Sequence, residues 1–245
     1  MNENPVIDCI ARHRTVRRYA DRPVPDADVR RAVEAAQMAA TSSNIQAYGL
    51  LRVRDAERRA RLVELTGGQP QVASAGAFFV VCGDQRRHRL LAEREGRAFE
   101  PNLETFLLAA VDAALFAQNL VLAFESMGYG ICYIGGLRNE LPKVDALLAL
   151  PADVFPFYGL CAGWPAEDPG QRPRLPVDAV LFEERYPDDA AMLEQIGAYD
   201  RVMAGYYAAR GKPGYDWAGG ISRKFARPSR EHLFEYYRSK GARFR

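Results

Sequence analysis

The chain reads as an α+β domain, and three observations predict it. The run Ala77 to Cys82 (AFFVVC) is continuously apolar and of strand length, as in a strand covered on both faces. Leu103 to Met127 is a long helical pattern, apolar on most sides, and reads as a central buried helix. Short strand and amphipathic helix patterns alternate around these two without a shift in composition that would mark a domain cut. The expected unit is therefore a single domain over 1–245, with 196–245 a helical C-terminal extension.

In order along the chain, Pro5 to Arg12 reads as a short helix and Pro23-Val24-Pro25 as a break. Asp26 is expected to cap a second helix running to about Met38, with Val29, Val33, Ala36 and Ala40 on one face. Thr41-Ser42-Ser43-Asn44 is a polar turn. Tyr48 to Arg54 alternates as a strand does, and Asp55 starts a helix that ends at Gly67-Gly68. Arg86 to Pro101 is charged and is expected to be mobile. Beyond the central helix, Gly130 to Ile134 and Phe155 to Cys161 read as strands. Asn139 is expected to cap a short helix to Leu150. A proline-rich irregular stretch runs to Pro176, followed by helical patterns at Tyr199 to Arg210 and Ser229 to Lys240.

Composition narrows the function classes. Of the 245 residues, 48% are hydrophobic, enough for a sizeable core, and the net charge of +2 gives no global pull toward nucleic acid or membrane. Met1 to Asp8 lacks a basic and apolar leader, and no run is read as reaching the ~20 apolar residues of a membrane helix. Cys9, Cys82, Cys132 and Cys161 are widely spaced, which suits reduced thiols in a cytoplasm. His13, His88 and His232 lie far apart, so no metal site is expected.

The chemistry concentrates in a few segments. His13-Arg14-Thr15-Val16-Arg17 places an imidazole, a hydroxyl and guanidiniums within a few residues, and Arg172-Pro173-Arg174 is a second cationic pair. Together they suit a phosphate group, although each alone also suits a solvated basic turn. Tyr133-Ile134-Gly135-Gly136-Leu137-Arg138 lets backbone approach a flat ligand, or makes an ordinary turn after a strand. It is neither a G-x-G-x-x-G fingerprint nor a P-loop. Thr41 to Gln46 carries hydroxyls and amides that reach a polar heterocycle or simply terminate a helix. Gln69 sits in a turn, and Arg210-Gly211-Lys212 follows a helix, where it either binds a second phosphate or caps the helix.

In this order and spacing, the segments HRTVRRY, TSSNIQ, LTGGQ, VDAALFAQNLVLAFESMGYG, YIGGLRN, FYGLCAGWP, RPRLP and YYAARG resemble the nitroreductase superfamily, and more narrowly its NADPH-preferring, oxygen-insensitive nitroreductases and flavin reductases. The resemblance spans nearly the whole chain from His13 to Arg210. It implies an FMN-binding α+β fold with a mixed, mostly antiparallel sheet flanked by helices, in an intertwined homodimer. By that resemblance His13, Thr15, Arg172 and Arg174 hold the FMN phosphate, with Arg14 close by. Arg17 lies along the ribityl chain and gives electrostatic support to the reduced ring. Gln69 bonds the ring system, and Gly135 and Gly136 offer backbone N–H to it, with Tyr133, Ile134 and Leu137 nearby. Thr41, Ser42, Ser43 and Asn44 reach the flavin from the other subunit. Arg210 meets the 2′-phosphate of NADPH, and Lys212 stands where a second arginine is common, which opens the question of NADPH against NADH. The implied activity is NAD(P)H-driven, two-electron reduction of nitroaromatics and quinones, with no side-chain nucleophile. Alternatives are an NADPH-dependent flavin reductase acting on free flavin, a non-catalytic FMN-binding protein, and a nucleic-acid binder using the Arg-rich end from Arg223 to Arg245.

Overall fold

The computed structural model describes residues 4–245. It divides into two compact units, the chain up to 169 together with 230–245, and 170–229. The stretch 196–245 is thus shared, its last part, 230–245, belonging with the first unit.

In the first unit, strands β1 (Tyr48–Arg52), β2 (Ala77–Asp84), β3 (Gly130–Ile134) and β4 (Val154–Gly163) form one sheet in the order β1-β2-β4-β3, with every neighbouring pair antiparallel. Registers include Leu51 opposite Val80, Phe79 opposite Leu160 and Cys132 opposite Cys161, with an irregularity between Val81 and Cys82. The segment after the first helix adds a parallel bridge, Thr15 to Ile131, on the outer edge of β3. The sheet is therefore mixed and mostly antiparallel, as expected.

Helices α1 (Pro5–Ala11), α2 (Asp26–Ala36), α3 (Ala56–Leu65), α4 (Gln71–Ser74), α5 (Arg86–Arg94), α6 (Leu103–Ser126) and α7 (Leu141–Leu148) belong to the first unit, as does α10 (Leu233–Ser239). Alternate residues of β2 feed two cores. Phe79 and Val81 pack with Phe116, Leu120 and Phe124 of α6, while Phe78 and Val80 pack with Leu62 of α3 and Val144 of α7. Burial on both faces explains the unbroken apolar run. A third cluster joins Phe155, Tyr236 and Tyr237 to Phe106 of α6.

Several boundaries differ from expectation. Asp26 is the first residue of α2 and caps nothing; Pro25 takes the cap position, and the helix stops at Ala36. Asn139 lies in a 3-10 turn (Gly135–Asn139), and Glu140 precedes α7 without a side-chain cap. Asn139 Oδ1 instead accepts from Arg230 Nε and Nη2 at 3.1 and 2.9 Å. Residues 86–94 form α5 rather than an irregular segment. The helix buries no residue, so it has no apolar stripe to read; Arg89 pairs with Glu93 one turn on within the helix at 2.5 Å and ties the helix to Asp153 at 2.7 Å. α6 is 24 residues long and apolar enough to cross a membrane by length and composition, contrary to the reading of the sequence. It lies on the sheet and carries the buried carboxyl of Asp112.

The second unit contains a 3-10 turn (Val177–Ala179), α8 (Asp189–Ala208) and α9 (Trp217–Phe225). α8 starts at Asp189, well before the expected Tyr199, with Asp188 accepting from Ala191 N at 2.9 Å. α9 was not expected, since Gly219-Gly220 in its interior disfavours a helix. Asp200 accepts from the N–H groups of Trp217 and Ala218 at 2.8 and 3.0 Å and anchors its start.

Candidate functional site

The segment 13–19 runs extended along β3. Val16 N donates to Ile131 O at 2.9 Å, and Tyr19 bridges Pro165 on the other side of the turn. Val16 is buried, so the side chains to either side of it, Thr15 and Arg17, fall on the opposite face of this extended backbone. Gly130 permits the close approach, because a Cβ there would lie 2.7 Å from the Val16 side chain.

Carboxylates from elsewhere in the chain hold this segment. Glu167 accepts from Arg17 N at 2.7 Å and Arg18 N at 3.0 Å, and its second oxygen accepts from Arg18 Nε at 2.9 Å. The Arg17 N–H, with help from the other donors, keeps the Glu167 carboxyl below the usual range. Glu125, near the end of α6, pairs with His13 Nδ1 at 2.7 Å. Arg14 pairs with Asp168 at 3.0 Å, and with Arg12, Cys9 and Glu125 it lines a cavity of about 260 Å³. Arg14 and Val16 line this cavity together, and Glu125 links it to His13.

A few residues further along β3 its end presents the predicted ring-binding backbone. Tyr133 is 37% exposed, while Ile134 and Leu137 are fully buried and pack in the core under α3 and α7. Gly136 has no room for a side chain, since a Cβ would overlap Thr66 O and Gln69 Nε2. This contact joins the turn at 66–69 to the turn at 135–139. Gln69 is fixed at both ends of its amide. Its Nε2 donates to Thr66 O at 2.8 Å, and its Oε1 accepts from Gln71 Nε2 at 3.1 Å. Gly135 is more open, with Arg138 Nη2 3.6 Å from where a Cβ would stand.

The polar turn Thr41 to Asn44 is part of a strained loop. Ser43, Asn44 and Gln46 have φ of 48°, 56° and 55°, a region that non-glycine residues seldom enter. Asp112 on α6, 1% exposed, holds both ends of the loop by accepting from Ser42 N at 3.2 Å and Ala47 N at 2.9 Å. His88 Nε2 bonds Ile45 O at 2.8 Å, and Arg87 Nη1 donates to Gln46 O at 3.1 Å. α5 thus serves as a buttress for this loop.

In the second unit Arg174 Nη1 turns back to the Arg172 carbonyl at 2.8 Å, and Tyr199 OH donates to Pro173 O at 2.9 Å. The Arg172 guanidinium lies 6.0 Å from the Tyr207 ring, which stacks on Tyr215 at 3.7 Å. Arg210 lies over Tyr206 at 4.0 Å. Lys212 is exposed, and its N–H bonds Tyr207 O at 2.9 Å.

Sequence reasoning missed Glu125, Glu167, Asp112 and Gln71. Each is an unremarked polar residue in a helix or loop, and only the tertiary fold brings it to its partner.

Comparison with known proteins gives the family. Residues 10–164 match the Nitroreductase family, and residues 172–245 match the Nitroreductase family, C-terminal domain. The chain is 41% identical over 246 residues to the FMN reductase (NADPH) of Bacillus subtilis, covering 97% of this chain and 98% of that protein. It is 38% identical over 241 residues to the oxygen-insensitive NADPH nitroreductase of Salmonella typhimurium, covering 97% and 98%. The solved structure of B. megaterium NfrA1 superposes with a TM-score of 0.95 at 42% identity, over 98% of this chain and 99% of that one. The chain belongs to the nitroreductase family.

Proposed function

We propose that the protein is an FMN-containing NAD(P)H oxidoreductase that reduces nitroaromatics and quinones in two-electron, ping-pong cycles. The observation that carries this reading is the run of donors along one edge of the sheet. His13, Thr15 and Arg17 lie on the segment paired with β3 at Ile131. The Gly135-Gly136 backbone lies four residues further, about 13 Å along the strand. The donor set fits the group chemically. An imidazole and a hydroxyl suit an acceptor-rich phosphate, the Arg17 guanidinium suits the ribityl and pyrimidine side, and the open backbone at Gly135 suits a flat ring edge.

FMN, when bound, supplies the hydride chemistry, taking electrons in pairs from a reduced nicotinamide and passing them to an acceptor. The chain's residues bind and tune. His13 and Thr15 hold the phosphate. Arg17 sets a positive charge beside the pyrimidine side of the ring, where negative charge develops on reduction. The amide of Gln69, held by Thr66 and Gln71, would hydrogen-bond the ring system. Tyr133 and the backbone at Gly135 and Gly136 would face the ring, while Ile134 and Leu137, fully buried, support that backbone from the core. For Arg172 and Arg174 as phosphate ligands, and for Arg210 and Lys212 as contacts of the NADPH 2′-phosphate, support comes from the family resemblance and the chemistry of their cationic groups.

Two features support a homodimer. Leu103, Leu107, Val111 and Leu115 form an exposed apolar stripe at four-residue spacing on α6. The strained loop at 41–47 is braced from behind, which suits Thr41, Ser42, Ser43 and Asn44 contacting the flavin of a partner subunit. Four free cysteines suit the reducing cytoplasm.

The names of the Bacillus subtilis and Salmonella relatives favour two acceptors, free FMN and nitro compounds. Initial rates with NADPH against a nitroaromatic, a quinone and free FMN test the reading. Parallel double-reciprocal lines with the nitroaromatic or quinone are expected. Turnover of free FMN alone would assign the flavin reductase, and flavin binding without NAD(P)H oxidation would assign a carrier.

A further inference from the structure

We infer that Arg230 is a positioning residue for the turn Gly135–Asn139, and that the returning C-terminal segment fastens the turn through it. The inference rests on the reading of Gly135 and Gly136 as backbone that faces the flavin ring. The chain re-enters the first unit at 230. There Arg230 donates from both Nε and Nη2 to Asn139 Oδ1, at 3.1 and 2.9 Å. Two residues on, His232 Nε2 lies 3.1 Å from Arg138 O. Both contacts fall on the last two residues of the turn, and they come from 91 and 94 residues away in the chain.

The turn needs such contacts. Two adjacent glycines lose more backbone freedom on ordering than other residues do and bring no side chain to pack. Glu140, which follows, gives α7 no side-chain cap. Asn139 carries the tie further. Its Nδ2 lies 3.1 Å from where a Cβ on Gly67 would stand, so one amide meets Arg230 and also rests against the turn that leads to Gln69. Arg138 holds the other side, donating from Nη1 to Phe157 O of β4 at 2.6 Å.

Arg230 is kept in place against opposing forces. Its φ is 59°, a left-handed backbone that a non-glycine residue seldom adopts. Burial first, and then the charge of Arg138, lower its guanidinium from its ordinary value. A half-buried guanidinium beside a like charge, on a strained backbone, is accounted for by the contact it makes. Its rigid planar fork sets two donors on one amide oxygen, which a lysine ammonium cannot reproduce. The rest of the segment is tied elsewhere. Tyr237 OH donates to Pro156 O of β4 at 2.8 Å, and Lys240 Nζ donates to Asp145 Oδ1 at 3.2 Å and Leu150 O at 2.7 Å. These bonds hold α10 without touching the turn.

The experiment combines amide hydrogen exchange of the full-length, FMN-saturated protein with titrations of FMN and of riboflavin, which lacks the phosphate, by flavin fluorescence. Arg230→Met keeps the stem and removes both donors. It should speed exchange at 135–139 about tenfold or more, the size of one lost hydrogen bond to a charged group. It should weaken FMN and riboflavin by the same factor, because the turn meets the ring that both share. Arg230→Lys should fall between wild type and Arg230→Met. Asn139→Ala should act as Arg230→Met does, and in its background Arg230→Met should add nothing. Tyr237→Phe, which frees the same segment from β4, should lower the urea midpoint and leave exchange at 135–139 and both flavin affinities at wild-type values. Wild-type exchange at 135–139 in Arg230→Met would overturn the positioning role. So would equal effects from Tyr237→Phe, or a loss of FMN affinity with riboflavin unchanged. Faster exchange with both flavins still bound at wild-type affinity would instead overturn the reading of the turn as the ring site. Should Arg230→Met not fold, Arg230→Lys decides the matter, and exchange at the wild-type rate would refute the inference.

Discussion

The two cationic segments, 13–18 and 172–174, are held in different ways. In 13–18 the carboxylates that hold the segment come from far along the chain, beside local bonds such as Tyr19 OH to Val16 O. Glu125 meets His13, Glu167 takes the backbone N–H groups of Arg17 and Arg18, and Asp168 meets Arg14. In 172–174 the recorded bonds are local or come from the same unit: Arg174 to the carbonyl two residues back, and Tyr199 to Pro173. The loop at 41–47 follows the first pattern, with Asp112 reaching both of its ends. The lesson is that in the first unit the backbone of these segments is held by distant carboxylates, from the buried Asp112 to the exposed Asp168. In 172–174 the guanidiniums are exposed and can be removed without a cost to the fold.

Asp112→Ala should break the side held by distant carboxylates most severely. It strands the buried Ala47 N–H and the part-buried Ser42 N–H and releases a loop with three left-handed residues. The expected loss is roughly 2 to 5 kcal/mol in urea denaturation, from about 1–3 per unsatisfied group, together with faster flavin loss. A loss below about 0.5 kcal/mol would mean that the loop holds itself.

Glu167→Ala should cost less, about 1 to 2 kcal/mol, and should change the response to acid. Because the folded carboxyl titrates below its ordinary value of 4.5, its contribution is present above that pH and fades as pH falls through the folded value. Stability measured from pH 6 to 3 should therefore fall less steeply in the variant than in wild type. Parallel curves would show that the Arg17 and Arg18 amides do not depend on it.

Arg174→Ala sharpens the other side. Stability should stay within about 0.5 kcal/mol of wild type, as for surface substitutions, while FMN release accelerates on the order of tenfold through loss of a charge-assisted contact. A stability loss as large as that of Glu167→Ala would erase the contrast. Arg210→Ala should leave both fold and flavin intact and raise the KM for NADPH about tenfold more than that for NADH. Equal effects on the two coenzymes would remove the 2′-phosphate contact.

How far these features are legible in the sequence follows from where their causes lie. β2 and α6 are legible because burial on opposite faces writes long apolar runs. His13, Thr15, Arg17 and the Gly135-Gly136 turn are legible because their chemistry is contiguous. Asp112, Glu125 and Glu167 are not, because their partners lie 70, 112 and 150 residues away and nothing local marks a carboxylate as a clamp. α5 escapes because it buries no residue, and α9 because Gly219-Gly220 argues against a helix that Asp200 and Asp216 nevertheless cap. The pairing of Arg14 with Asp168 is likewise a tertiary outcome.

The most direct measurement is the visible spectrum of the purified protein before and after anaerobic addition of NADPH. The account predicts flavin bands near ~450 nm that bleach on addition. Bands that persist with both NADPH and NADH would contradict a reductase, and a protein that takes up no FMN would contradict the site itself.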